Sequence, residues 1–356
     1  MKILITGICG FTGTIIARTL QEFDSGIELW GIDNFLRRGS EQNRAPLRAS
    51  GVHLLHGDVR CRSDLDVLPE VQWVIDAAAN PSVLAGVNGN SSSRQLLEHN
   101  LAGTINLLEF GRRAGAGLIL LSTSRVYSIS PLVNLPVTIE KDAYRPQLDS
   151  HHVVGLSSEG VAEQFPTTPP VSLYGATKLA SELIALEYGE AFGLPVWINR
   201  CGVLAGAGQF GTADQGIFAF WINSYLRRRR LNYIGFDGQG HQVRDCLHPR
   251  DVAALIFKQM KSAHRQVERV QNVSGGVASA ISLAQLSSWC AARFGKHSIG
   301  SDPTSRPYDV PWMVLDSANA KRQWDWQPTL GIEQILEEIA QHANAHPEWL
   351  NTSGCI

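Results

Sequence analysis

The chain has 356 residues, more than twice the ~150 of one typical domain, with 44% hydrophobic and 18% charged residues and a mean hydropathy of −0.07. This composition supplies a large core and excludes intrinsic disorder, and the longest apolar runs fall far short of the ~20 residues of a membrane span. A balance of 31 Lys and Arg against 33 Asp and Glu leaves −2, so no whole-molecule field favours nucleic acid or an anionic membrane.

Met1-Lys2 leads directly into an apolar strand at 2–6, so no signal peptide is expected. Cys9, Cys61, Cys201, Cys246, Cys290 and Cys355 are scattered without metal-ligand spacing, which suits reduced thiols in a cytoplasm, and no metal is expected. In chain order the pattern predicts a helix at 12–23, then strands at 27–32, 52–55 and 71–77. A helix at 96–114, a strand at 118–122, a helix at 174–192 and a strand at 196–200 follow. Strands alternating with helices at this spacing imply right-handed crossovers and an α/β fold, a Rossmann-type doubly wound parallel sheet. Residues 128–172, with six prolines, read as a long insertion. A helix is expected at 215–226 and two more at 282–294 and 330–346, in a smaller C-terminal α/β substrate lobe. The expected division is a nucleotide-binding domain at 1–203, with 243–275 returning to it, and a substrate lobe formed by 204–242 and 276–356.

Gly7-x-x-Gly10-x-x-Gly13 follows the first strand and opens the first helix. The first glycine permits the tight turn, the second lets backbone approach a pyrophosphate, and the third lets helix and strand pack closely. The helix N-terminus offers free N–H groups and a partial positive charge to phosphates. Asp33 ends the second strand twenty residues beyond Gly13, where a carboxylate can accept both hydroxyls of an adenosine ribose. It would repel a 2′-phosphate and so favours NAD, although Arg37 and Arg38 could attract one. Asp58 is a candidate for the adenine amino group.

Tyr174 and Lys178 are four apart on a predicted helix, which places them on one face. A phenol of pKa ~10 is a poor base at neutral pH, and a nearby ammonium favours its ionised form. Thr123 stands at the carboxyl end of the 118–122 strand, where ligands bind in open α/β sheets. Strand alternation alone leaves Ser122, Thr123 and Ser124 equivalent.

Together these features resemble the extended short-chain dehydrogenase/reductase family of nucleotide-sugar epimerases and dehydratases. The segments 100–109, Ser122-Thr123-Ser124-Arg125-Val126-Tyr127 and 243–252 share in the resemblance, which spans nearly the whole chain. Thr123 matches the family's hydroxyl residue by its place before Val126-Tyr127, so the resemblance implies a Thr123, Tyr174, Lys178 triad. Within the superfamily, 208–216 and 238–245 are most similar to the CDP-tyvelose (CDP-paratose) 2-epimerase group. This implies an isomerase with NAD as cofactor and a nucleotide sugar, a CDP-linked hexose, as substrate. Tyr174 would take a hydroxyl proton while C2 gives up hydride, the keto sugar would turn, and hydride would return to its other face. The residues expected around NAD are Gly7, Gly10, Phe11, Thr12, Gly13, Asp33, Asn34, Asp58, Val59, Ala77, Ala78, Ala79, Asn100, Ser122, Tyr174 and Lys178. Those expected around the substrate are Thr123, Ser124, Arg125, Gln209, Phe210, Gln215, Arg244 and Arg306, the last two holding the diphosphate through planar guanidinium donors.

Departures from the group's pattern fall at Ser124-Arg125, 76–80 and 201–203. A 4-epimerase or 4,6-dehydratase is the alternative enzyme, but a dehydratase would carry an acidic pair where Ser124-Arg125 stands. A non-catalytic NAD-binding regulator is the alternative of another class, and it would not need the triad. The resemblance also implies a homo-oligomer, dimer or tetramer. Arg227–Arg230 reads as a solvated helix end, one of whose arginines could still approach the substrate phosphates; His151-His152 reads as a loop pair, and Trp312, Trp324 and Trp326 as packing residues.

Overall fold

The computed structural model describes residues 1–87, 92–148 and 153–355. Strand β1 (Lys2–Thr6) is apolar on both sides because both sides are covered. Ile3 and Ile5 pack with Ile16, Leu20, Leu255 and Ile256, while Leu4 points the other way toward Leu107, Leu118, Leu120 and Ile198. The remaining strands of the sheet are β2 (Glu28–Asp33), β3 (His53–His56), β4 (Trp73–Asp76), β5 (Gly117–Thr123), β6 (Val196–Cys201) and β7 (Val270–Val273). Their spatial order is β3-β2-β1-β4-β5-β6-β7, with every neighbouring pair parallel. The order reverses between β1 and β4, and a crevice opens there at the carboxyl ends of the strands.

Helix α1 (Phe11–Phe23) begins immediately after the glycine turn. The predicted helix at 96–114 is instead three consecutive pieces: Ser93–Leu97, a π-helical turn at Glu98–Ala102, and α2 (Gly103–Ala114). The wide turn swings the Asn100 side chain back to hold the Asn80 loop, a local demand that helical periodicity does not encode. Helix α3 (Ser172–Phe192) starts two residues earlier than expected.

The insertion contains a short helix, Ile129–Val133, and a hairpin, Val137–Glu140 with Ala143–Pro146. These pack around Tyr127, Phe165 and Trp312. The expected His151-His152 loop pair lies outside the described residues. Helices α4 (Ile217–Leu226), α5 (Pro249–Lys261), α6 (Leu283–Phe294) and α7 (Ile332–Ala345) complete the larger elements. A separate apolar cluster joins Phe218, Trp221 and Ile222 of α4 to Leu286 of α6 and Ile335 and Ile339 of α7. Between 243 and 275 the chain divides: α5 packs on α1 and β7 edges the large sheet, whereas Val243–Leu247 lies in a small mixed sheet.

Arg227–Arg230 is not simply a solvated helix end. Arg227 donates to the carbonyls of Ala343 and Pro347, and Arg228 to those of Phe294, Gly295 and Lys296. Arg229 donates to the Cys355 carbonyl and to Asn351. Cations on the last carbonyls of α6 and α7 satisfy groups that a helix leaves unpaired and oppose the negative end of its dipole. No helix among the described residues is long and apolar enough to cross a membrane.

Candidate active site

A cavity of about 840 Å³ fills the crevice between β1 and β4 and runs out beneath α4. At one end lies the glycine turn. Gly7 has φ +60°, and a Cβ there would come within 2.9 Å of the Ala78 backbone; one at Gly13 would come within 2.5 Å of the Gly7 carbonyl oxygen. This is a backbone cradle that side chains would fill, as a pyrophosphate at a helix N-terminus requires. Asp33 accepts the N–H groups of Cys9 at 2.9 Å and Phe35 at 2.8 Å. Burial nevertheless pushes its carboxyl above the ordinary range. Arg37 donates to the Phe210 carbonyl and, at 2.8 Å, to Gln215 Oε1, so it is engaged by the protein itself rather than free for a 2′-phosphate.

Thr123 closes β5 and caps the following turn, its Oγ accepting the Arg125 N–H at 3.2 Å. Its hydroxyl faces the Tyr174 phenol and favours the ionised form. Tyr174 reaches this position because Gly175 allows α3 to press against the turn: a Cβ there would sit 2.2 Å from the Arg125 carbonyl oxygen. Burial pushes the Tyr174 phenol up to about 12, opposed by the Thr123 hydroxyl and by the Arg125 guanidinium, while Cys201 adds to the rise. Burial lowers the Lys178 ammonium, and the carboxylates of Asp76 and Glu182 resist that pull. Among the groups acting on the phenol Arg125 is the cation, and its pull is the smallest of the effects. The Cys201 thiol, beside Lys178, is raised to about 12 by burial and stays neutral.

At the far end Arg244 pairs with Asp309 at 2.5 Å and Arg306 with Asp214 at 3.0 Å. Arg125 has no carboxylate partner among the described residues; its Nη1 donates to the Tyr308 carbonyl at 3.1 Å. Arg230, the one member of the arginine run not bonded to a carbonyl among the described residues, also lines this end.

Of the residues expected around cofactor and substrate, all line the cavity except Asp58 and Asn100. Asp58 is held by Arg60 at 2.7 Å and by Asn34 at 2.9 Å. Burial opposes ionisation, but these partners keep its carboxyl well below the usual range. Asn100 is buried and bonded to Asn80 and Thr177. Three substrate candidates line the cavity with side chains already engaged. Gln209 Nε2 donates to the Leu204 carbonyl at 2.7 Å, Gln215 accepts from Arg37, and Phe210 stacks on Trp349. Sequence reasoning does not anticipate Asp309 or Glu182; it weighs Arg37 only for a 2′-phosphate, and Arg230 only as one of four arginines of which one could approach the substrate phosphates. Only Glu182 had a local signal, one turn beyond Lys178 on the same helix face.

The model of the NAD dependent epimerase/dehydratase family matches residues 3–274. The chain belongs to this family. It is thus an NAD-dependent enzyme of the nucleotide-sugar epimerase and dehydratase class, and the cradle described above suits that cofactor. Among its relatives, the CDP-paratose 2-epimerase of Salmonella typhi is 29% identical over 95% of this chain and 98% of that protein. The UDP-glucuronate 4-epimerase 2 of Arabidopsis thaliana is 25% identical over 96% of this chain and 75% of that one. A crystal structure of the Bacillus cereus UDP-glucuronic acid 4-epimerase, in complex with UDP-glucuronic acid and NAD, shares the fold. Its TM-score is 0.78 at 22% identity, covering 97% of this chain and 99% of that one.

Proposed function

We propose that this enzyme is a 2-epimerase of a CDP-linked hexose. The observation that carries the reading is the full-length likeness to CDP-paratose 2-epimerase, joined to a cavity with Tyr174 between a dinucleotide cradle and a diphosphate-sized cationic end. Among the described residues lining the cavity, Arg37, Arg125, Lys178, Arg230, Arg244 and Arg306 stand against Asp33, Asp214 and Asp309. That surplus of three positive charges matches NAD+ together with a sugar diphosphate of neutral sugar.

When bound, NAD supplies a reversible hydride acceptor for one sugar carbon. The protein's own residues do the rest. The Thr123 hydroxyl favours the ionised Tyr174 phenol, and Tyr174 removes and later returns the proton of the sugar hydroxyl. Arg244 and Arg306 anchor the diphosphate, so the flat keto sugar can turn while its nucleotide stays in place. Lys178 holds its ammonium at the cofactor side, supported by Asp76 and Glu182. Asp33 holds the adenosine ribose and Gly7, Gly10 and Gly13 the pyrophosphate. The cation at Arg125 disfavours elimination, which calls for an acidic pair after the catalytic threonine.

We also assign residues 1–203 and, of the returning segment 243–275, the part from Pro249 onward to the nucleotide-binding domain, and the rest to a substrate lobe, with Val243–Leu247 placed in the small sheet of that lobe. Exposed Leu97 and Leu183, on the Ser93–Leu97 helix and on α3, support a homo-oligomer built on that face.

The test is proton NMR in D2O with CDP-paratose, CDP-glucose, UDP-glucose and UDP-glucuronate. Inversion at C2 of a CDP-sugar without deuterium incorporation there is the expected result. Turnover confined to C4 of a UDP-sugar would replace the 2-epimerase reading with a 4-epimerase.

A further inference from the structure

An enzyme that oxidises and then re-reduces one sugar carbon must keep its dinucleotide between the two half-reactions, because loss at that point strands a keto sugar. Three segments far apart in sequence meet at the mouth of the cavity on the Asp33 side. Arg37 leaves β2 four residues after Asp33 and reaches across to the Phe210 carbonyl and to Gln215. The 209–215 loop is held from behind by the last helical turn. The Trp349 indole N–H donates to the Gln209 carbonyl at 2.9 Å, and its ring stacks on Phe210 with centroids 5.1 Å apart. Cys355 Sγ donates to the Gly211 carbonyl at 3.3 Å, and Arg229 in turn holds Cys355 and Asn351. Gly39, at φ +88°, makes the approach possible: a Cβ there would lie 2.6 Å from the Phe210 ring and 3.0 Å from Thr352.

We propose that Arg37 and Trp349 are positioning residues of a clasp that retains the dinucleotide through the catalytic cycle. The proposal rests on the epimerase reading above. Arg37 closes the cofactor end directly, and Trp349 acts through the 209–215 loop. The guanidinium has no carboxylate partner among the described residues; its bonds go to a carbonyl and an amide oxygen of the facing loop. Opening therefore breaks two charge-assisted hydrogen bonds at once, and Trp349 keeps their acceptors in place. Surface anchoring unrelated to the cofactor would not need Arg37 to cross the cavity.

The experiment measures dinucleotide retention, not turnover. Wild-type protein, Arg37→Met, Arg37→Lys, Trp349→Leu and Trp349→Phe are loaded with NAD and passed through a desalting column. Bound dinucleotide is then measured over time after acid release, and the melting temperature is taken at saturating NAD. Release from Arg37→Met and Trp349→Leu is expected to be about tenfold faster than from wild type, the loss of roughly one net charge-assisted hydrogen bond. Arg37→Lys and Trp349→Phe should fall between, with melting temperatures at saturating NAD close to wild type. Unchanged release in folded Arg37→Met and Trp349→Leu overturns the clasp, as does faster release that tracks a lower melting temperature without rescue by Arg37→Lys or Trp349→Phe. Wild-type protein that holds no dinucleotide overturns the cofactor reading and the clasp with it. Failure of the sugar assignment instead shows only in the NMR assay.

Discussion

Replacing Glu182 by Gln breaks a buried ion pair one turn beyond Lys178. Glu182 is 1% exposed and Arg200 7%. Arg200 Nη2 lies 2.7 Å from Glu182 Oε2, and its Nε lies 3.1 Å from both carboxylate oxygens. Ser122, at the cavity wall, donates its hydroxyl to the same carboxylate. Arg200 also donates to the Tyr127 hydroxyl at 3.2 Å, which in turn donates to Asn272 at 2.6 Å. Removing the carboxylate charge leaves a guanidinium uncompensated in the interior, a cost of about 3–5 kcal/mol. An unfolding entropy of ~2.1 cal/mol/K per residue over 356 residues is roughly 0.75 kcal/mol/K, so the melting temperature should fall by about 4–7 °C. Calorimetry of Glu182→Gln, and of Glu182→Leu combined with Arg200→Leu, is the assay. The double variant should recover most of the loss, because neither charge then needs a partner. A shift of less than about 1 °C in Glu182→Gln, or a double variant as unstable as the single ones summed, would refute the electrostatic reasoning.

Three further outcomes follow from the same geometry. Thr123→Val removes a hydrogen bond to the Tyr174 phenolate worth about 1.5–3 kcal/mol; at 1.36 kcal/mol per unit, the rate against pH should move upward by about 1–2 units. The sign is fixed: the group is already pushed up to about 12, the active form is ionised, and losing a donor raises it further. A downward shift would disprove Thr123 as that donor. Burial raises the Asp245 carboxyl from 3.8 to about 7, so the folded chain binds the extra proton between those values. Stability should therefore fall as pH rises across that window, by on the order of 4 kcal/mol at most, and Asp245→Asn should flatten the slope. Urea midpoints at pH 4, 5, 6 and 7 check this, and identical slopes would dismiss it. Gly13→Ala places a Cβ 2.5 Å from the Gly7 carbonyl oxygen, so the turn must open, and NAD binding measured by calorimetry should weaken at least tenfold. Unaltered affinity would show that the cradle is not the pyrophosphate site.

The parts of the molecule legible in the sequence are those whose cause is local. The central strands β1, β4 and β5 are short, largely apolar runs because they are covered on both faces, and the glycine turn is readable because only glycine fits its φ and its close approaches. Tyr174 and Lys178 follow from helical spacing. What the sequence concealed depends on partners brought together by the fold. Asp58 stands where a carboxylate could meet adenine, but Asn34, from beyond the end of β2, and the neighbouring Arg60 hold it. Asn100 looks like a polar ligand residue, yet a π-helical turn aims it at Asn80 and Thr177. A run of four arginines suggested a solvated end until α6, α7 and the 349–355 segment supplied carbonyls for three of them. The fourth, Arg230, then falls at the cavity wall. The same cause governs Arg125. Its neighbours are Tyr308, Tyr174 and the paired Arg244 and Asp309, all distant in sequence, so no spacing rule could show that its charge favours the ionised Tyr174 phenol. Substituting lysine there would keep the charge but lose the planar donors, so substrate affinity and Tyr174 ionisation need not change together. Separate changes in the two would show that Arg125 acts on the Tyr174 phenol as well as on the substrate proposed above.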